Sequence, residues 1–137
     1  MMDSGKNQIV TMFYEGWGMR CCGDPIFVGD VLEKYDAAII DDTFEGSEIF
    51  KESDFYYDNH GCPGIPDQHI RFLSGKVLGI REVWDKDYGK VNHIIDVDSA
   101  GDRYESPGKE WSLHGYLIKL ELTEIHRCEH GSMVVDS

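Results

Sequence analysis

Alternation of apolar and polar residues with a period of two limits the fold of this chain more than any other feature. In "VNHIIDV", Val91, His93, Ile95 and Val97 share one face, and Asn92, Ile94 and Asp96 the other. In "GYLIKLELTE", Tyr116, Ile118, Leu120 and Leu122 share one face, and Leu117, Lys119, Glu121 and Thr123 the other. Successive side chains of a strand point to opposite faces, so both segments read as half-buried strands. "GKVLGIREVW" is a third strand, with Leu78, Ile80 and Trp84 inward and Gly79 at a bulge or a close approach. "DKDYGK", Asp85 to Lys90, follows as a hairpin loop. "NQIVTMFYE" is a fourth strand, rich in β-branched and aromatic residues. "IFVGDVLEKYD" is a fifth, interrupted by a turn at Gly29-Asp30, and Phe55 to Tyr57 starts another.

Five or six strands in 137 residues fit one domain. The expectation is a mainly β fold with little helix: a small antiparallel five- to six-stranded barrel or curled sheet of the OB or SH3 kind. A two-layer α+β domain is the alternative, because Glu45 to Lys51 has the length of a short helix, although Gly46-Ser47 interrupts it. The single domain, 1–137, has an expected ordered core of about residues 8–125, with 126–137 as a tail.

One stretch carries a resemblance. "GWGMRCCGDPIFVGD" resembles a family of short bacterial proteins with Trp-x-Met-x-Cys-Cys-Gly-x-Pro-Phe followed by Val-Gly-Asp. Trp17, Met19, Cys21, Cys22, Gly23, Pro25, Val28, Gly29 and Asp30 match, and Phe27 stands one place late after Ile26. "DNHGCPG", "SGKVLGIREV" and "GYLIKLEL" extend the likeness over roughly Val10 to Leu122. The resemblance implies a common architecture and carries no activity, cofactor or partner with it.

Charge narrows the function classes. The net charge is −13, which opposes a nucleic-acid backbone as partner, since phosphate binding needs a basic patch. From Asp30 to Asp58 there are ten acids against two bases, −8 of the total. That segment also holds "DFYYD", and tyrosine is a favoured interface residue. The acids and aromatics define a candidate partner-binding face: Asp41, Asp42, Glu45, Glu48, Asp54, Tyr56, Tyr57 and Asp58. Its partner would be a basic protein, and association would be fast and salt-sensitive. Immunity proteins that neutralise basic nucleases share this size and charge, an analogy of composition only. No run approaches the ~18 apolar residues of a membrane span, and the N-terminus lacks the pattern of a signal peptide, so the cytoplasm is the expected compartment.

The thiols and imidazoles offer a second class. His126, Cys128 and His130 alternate in "HRCEH" and would share one face of a strand; thiolate and imidazole both suit zinc. Cys21, Cys22, His60 and Cys62 are the other candidate ligands. In an extended chain Cys21 and Cys22 point to opposite faces and cannot easily serve one centre. Cys22 is also a candidate nucleophile with His60 or His114 as base, but Arg20 is the one nearby cation to stabilise a thiolate. Packing competes with both readings, since free cysteine is among the most buried residue types. Asp96 and Asp98 share a strand face without matching a calcium loop, and no phosphate-binding glycine loop is present. The expectation is a non-enzymatic acidic binding domain without a cofactor. A zinc-binding or thiol-dependent protein is the alternative.

Overall fold

The computed structural model describes residues 8–16, 24–40, 53–58, 65–86, 91–101 and 108–134. In chain order the strands are β1 (Ile9–Glu15), β2 (Ile26–Phe27), β3 (Val31–Ile39), β4 (Phe55–Tyr57), β5 (Ile70–Lys86), β6 (Val91–Val97), β7 (Ser99–Ala100), β8 (Ser112–Glu129) and β9 (Ser132–Met133). A 3₁₀ turn, Asp67–His69, precedes β5. These strands and that one 3₁₀ turn are the elements of the described residues, and Glu45 to Lys51 lies outside them.

Seven strands form one sheet in the order β6-β5-β3-β4-β1-β8-β9, while β2 and β7 make a small second sheet. A further β5–β8 pairing closes a ring of hydrogen bonds through β5, β3, β4, β1 and β8. The fold is therefore mainly β and built around a curled sheet, as the alternation implies. It is a ring within a larger sheet rather than a free-standing barrel, and the sheet is mixed: β1 and β4 run parallel, with Met12 beside Phe55 and Tyr14 beside Tyr57. The sequence reading had every pair antiparallel. A parallel pair needs a long crossover, and residues 16–54 supply the connection here.

β5 and β8 are the frame. β8 pairs with β5 from Ser112 to Arg127 and with β1 from Gly115 to Glu121. On its other edge β5 pairs with β3 up to Lys76 and with β6 from Ile80 onward. Three register shifts bend the β5–β8 ladder, at Ser74/Gly75, Val77/Gly79 and Val83/Trp84. Each bulge bends its strand and sharpens the local twist, so long strands can wrap a small core.

Val10, Met12, Tyr14, Leu73, Val77, Ile80, Tyr116, Ile118, Leu120 and Leu122 meet inside the ring. The inward face expected for β8 is thus the core face. Leu78 was expected inward and is exposed instead; Val77 takes that place, because the shift at Val77/Gly79 inverts the alternation. β6 was expected to be half buried. Asn92, His93, Ile94 and Asp96 are exposed and Val97 packs against the core, because β6 hangs on β5 outside the ring. A second cluster of Phe13, Val83 and Leu117 lies on the outer face.

Two glycines permit the close approach of β8 to its neighbours. A Cβ on Gly115 would lie 2.5 Å from both Phe13 Cζ and the Tyr14 carbonyl oxygen, and one on Gly75 would lie 2.5 Å from the Glu121 carbonyl oxygen. β8 runs on past residue 125 to Glu129 and folds back through His130 and Gly131 into β9. Both turn residues have positive φ, 54° and 75°, the requirement of a two-residue hairpin whose twist matches its strands. Gly131 N–H donates to Asp67 Oδ2 and Val134 N–H to the Arg127 carbonyl, tying the hairpin to the 3₁₀ turn and to β8.

Candidate functional site

β4 positions the aromatic part of the predicted binding face. It lies between β1 and β3, and alternation sends its two tyrosines opposite ways. Tyr56 points outward and stacks on Phe13, with ring centroids 6.1 Å apart, and its hydroxyl donates to Glu15 Oε2 at 2.9 Å. Tyr57 turns toward the rim of the ring. It meets Tyr14 edge-on at 4.8 Å and Tyr35 of β3 at 4.7 Å.

Three tyrosines from three strands therefore converge, with Asp24, Asp30 and Asp58 close enough to act on them electrically. Burial, then Tyr57, Tyr35, Asp58 and Asp24, hold the Tyr14 phenol well above its ordinary pKa. Burial, then Asp24 and Asp30, raise Tyr35 as well. Carboxylates that oppose phenolate formation also make the rim attractive to a cation, and tyrosine faces add cation–π attraction.

The remaining predicted face divides. Asp54 is exposed but committed: its Oδ2 accepts from Thr11 N–H at 2.9 Å while its own N–H donates to the Thr11 carbonyl at 2.8 Å, clasping β4 to β1. Asp58 stands at the tyrosine rim. Asp41, Asp42, Glu45 and Glu48 lie outside the described residues. Sequence reasoning did not single out Tyr14, Tyr35 or Asp24. The alternation of β1 marks Tyr14 as inward, but only the three-strand register brings it to Tyr57.

These shifts fix a pH dependence. A folded chain that keeps phenol protons which the unfolded chain releases loses stability as pH rises. Stability is full below the ordinary tyrosine value of 10.0 and falls as pH climbs above it. Melting followed by circular dichroism from about pH 8 to about pH 11 should show this alkaline loss. Tyr14→Phe should lose less over the same interval; an identical loss in both proteins contradicts the assignment.

The structure does not bring His126, Cys128 and His130 together. Alternation ends at Glu129, so His130 lies in the turn, while the His126 ring bonds Glu124 Oε2 at 3.0 Å. Cys128 packs with Ala38 and Ile70. Burial pushes its thiol pKa up, and the adjacent Asp67 carboxylate, which accepts the S–H hydrogen bond, pushes it further, so the thiol keeps its proton. Among the described residues no three His, Cys, Asp or Glu side chains form a metal-sized group. Cys21, Cys22, His60 and Cys62 lie outside the described residues. His114, the alternative base, is the extra residue at the Val83/Trp84 bulge. There its Nδ1 meets Asp85 Oδ2 at 2.8 Å, Asn92 binds the other Asp85 oxygen, and its ring packs against Phe13 at 5.1 Å.

The family of unknown function DUF6578 matches residues 8–122, most of the chain. No curated protein and no solved structure matches.

Proposed function

The chain belongs to the DUF6578 family, and we propose that it is an acidic binding domain whose tyrosine rim receives basic side chains of a protein partner. The observation that carries this reading is the meeting of Tyr14, Tyr35 and Tyr57 with Asp24, Asp30 and Asp58 at one end of the ring. A lysine or arginine placed there gains the half-buried faces of Tyr35 and Tyr57, which Tyr14 backs from the core, and the carboxylates. The surplus of acids from Asp30 to Asp58 extends the same potential and would steer a basic partner inward. Neutralisation of a basic toxin, in the manner of an immunity protein, is the form of this function that the charge favours. The Trp17, Met19, Cys21, Cys22 and Gly23 stretch we take as a family mark of architectural role.

Binding to the basic product of a neighbouring gene tests the reading. Affinity should fall steeply between ~50 and ~500 mM salt, over which the screening length shrinks several-fold. Tyr57→Ala, at a half-buried site, should weaken binding about tenfold or more, as loss of an aromatic anchor does. Absence of binding, or affinity indifferent to salt, counts decisively against it.

A further inference from the structure

We propose that the outer groove beside Gly79 binds a small apolar zwitterion: a free amino acid with an apolar side chain, or a dipeptide of such residues. The groove forms where β5 changes neighbours, between its last pairing with β3 at Lys76 and its first with β6 at Ile80. The Val28-Gly29 turn bridges that gap. Gly29 N–H donates to the Val77 carbonyl at 2.9 Å and Val28 N–H to the Asp98 carbonyl at 2.9 Å. The resulting hollow has a volume of about 590 Å³, within the range of small-molecule sites.

The floor is open by construction. A Cβ on Gly79 would meet nothing within 4 Å, so the missing side chain leaves space and relieves no clash. Gly115 and Gly75, by contrast, are glycines because backbone crowds them.

The charges on the walls select the ligand. Arg81 stands directly opposite Asp96 in the β5–β6 register, where unlike charges ordinarily pair. Among the described residues neither enters an ion pair, and neither does Lys119, which lies across from Gly79 and also lines the groove. Asp98 lines it beside Asp96. Two cations and two carboxylates thus face one hollow without neutralising each other. At its lip Val28 and Leu78 are exposed apolar side chains, at 43% and 37%.

One molecule answers all three features. Its carboxylate would meet Arg81 and Lys119, its ammonium Asp96 and Asp98, and its apolar chain Val28 and Leu78. A ligand with only a carboxylate would face a protein of net charge −13, whereas a zwitterion carries no net charge to repel.

The experiment is calorimetric titration of the whole chain with L-leucine and with L-leucyl-L-leucine. The one-charge controls are 4-methylpentanoate and 3-methylbutylamine. At least one zwitterion should bind, each control should bind at least about tenfold more weakly, and the tighter zwitterion identifies the source. Gly79→Leu fills the hollow from its floor and should abolish binding while retaining the circular dichroism and melting of the parent. Arg81→Gln, at an exposed position, should weaken binding about tenfold and does not depend on whether Gly79→Leu folds. Failure of both zwitterions to bind, controls that bind as well, or full binding by Arg81→Gln overturns the proposal.

Discussion

Gly115→Ala should lower the melting temperature by roughly 10 °C, from a cost of about 3 kcal/mol at the upper end of what overpacking imposes in a domain of this size. The new methyl would stand 2.5 Å from Phe13 Cζ and 2.5 Å from the Tyr14 carbonyl oxygen. The Phe13 ring is fully buried between Val83 and Leu117, so it has little room to turn aside. The Tyr14 carbonyl belongs to the β1–β8 ladder, in which Tyr14 pairs with Tyr116, and moving it breaks the ring. Gly79→Ala is the control, since its Cβ meets nothing within 4 Å and should change stability by less than about 0.5 kcal/mol. Thermal melts of the two variants beside the parent check the pair. Equal losses would show that the crowding at Gly115 is not what holds β1 against β8.

The second large effect is at Leu120. It is fully buried in the ring, and Leu120→Ala should cost about 2–5 kcal/mol through lost burial and the cavity left behind. Leu78→Ala removes the same atoms from an exposed position and should cost less than about 1 kcal/mol. The two substitutions are chemically identical, so their difference measures the position alone. Urea denaturation with an unchanged slope would attribute it to the folded state. Similar losses at both positions would place Leu78 in the core and remove the bulge at Val77/Gly79.

Strand identity and the inward face of β8 were legible because one face buried against a core repeats every second residue. Tyr116, Ile118, Leu120 and Leu122 show that rule at work. It fails at Leu78 for a definite reason. A bulge adds one residue and inverts the faces beyond it, and Gly79 marked the irregularity without stating its sense. It fails differently in β6, whose alternation is regular but whose place outside the ring leaves Asn92, His93, Ile94 and Asp96 exposed. Local pattern reports that a strand can bury one face; it does not report whether a partner is there. The tyrosine rim was half legible. "DFYYD" drew attention to Tyr56 and Tyr57, but alternation separates them. The true neighbours of Tyr57 are Tyr14 and Tyr35, 43 and 22 positions earlier in the chain. Such neighbours follow from register between distant strands, which no short stretch encodes. Cys21 and Cys22 lie outside the described residues, while the Cys128 thiol is packed and keeps its proton.

The closure of the ring by β8 has a consequence for how the chain acquires its structure. β1 occupies residues 9–15, and its antiparallel partner is supplied by residues 115–121. Of the strands in the ring, the first made is therefore completed by the last. During synthesis β1, β3, β4 and β5 leave the ribosome without the strand that joins β5 to β1, and their edges stay open until β8 emerges. Long-range pairing of this kind is slow, because the entropy of a large loop must be lost before any contact repays it. The interval in which this protein can be captured by a chaperone or can mispair with another chain thus lasts at least until residues 115–121 have been made.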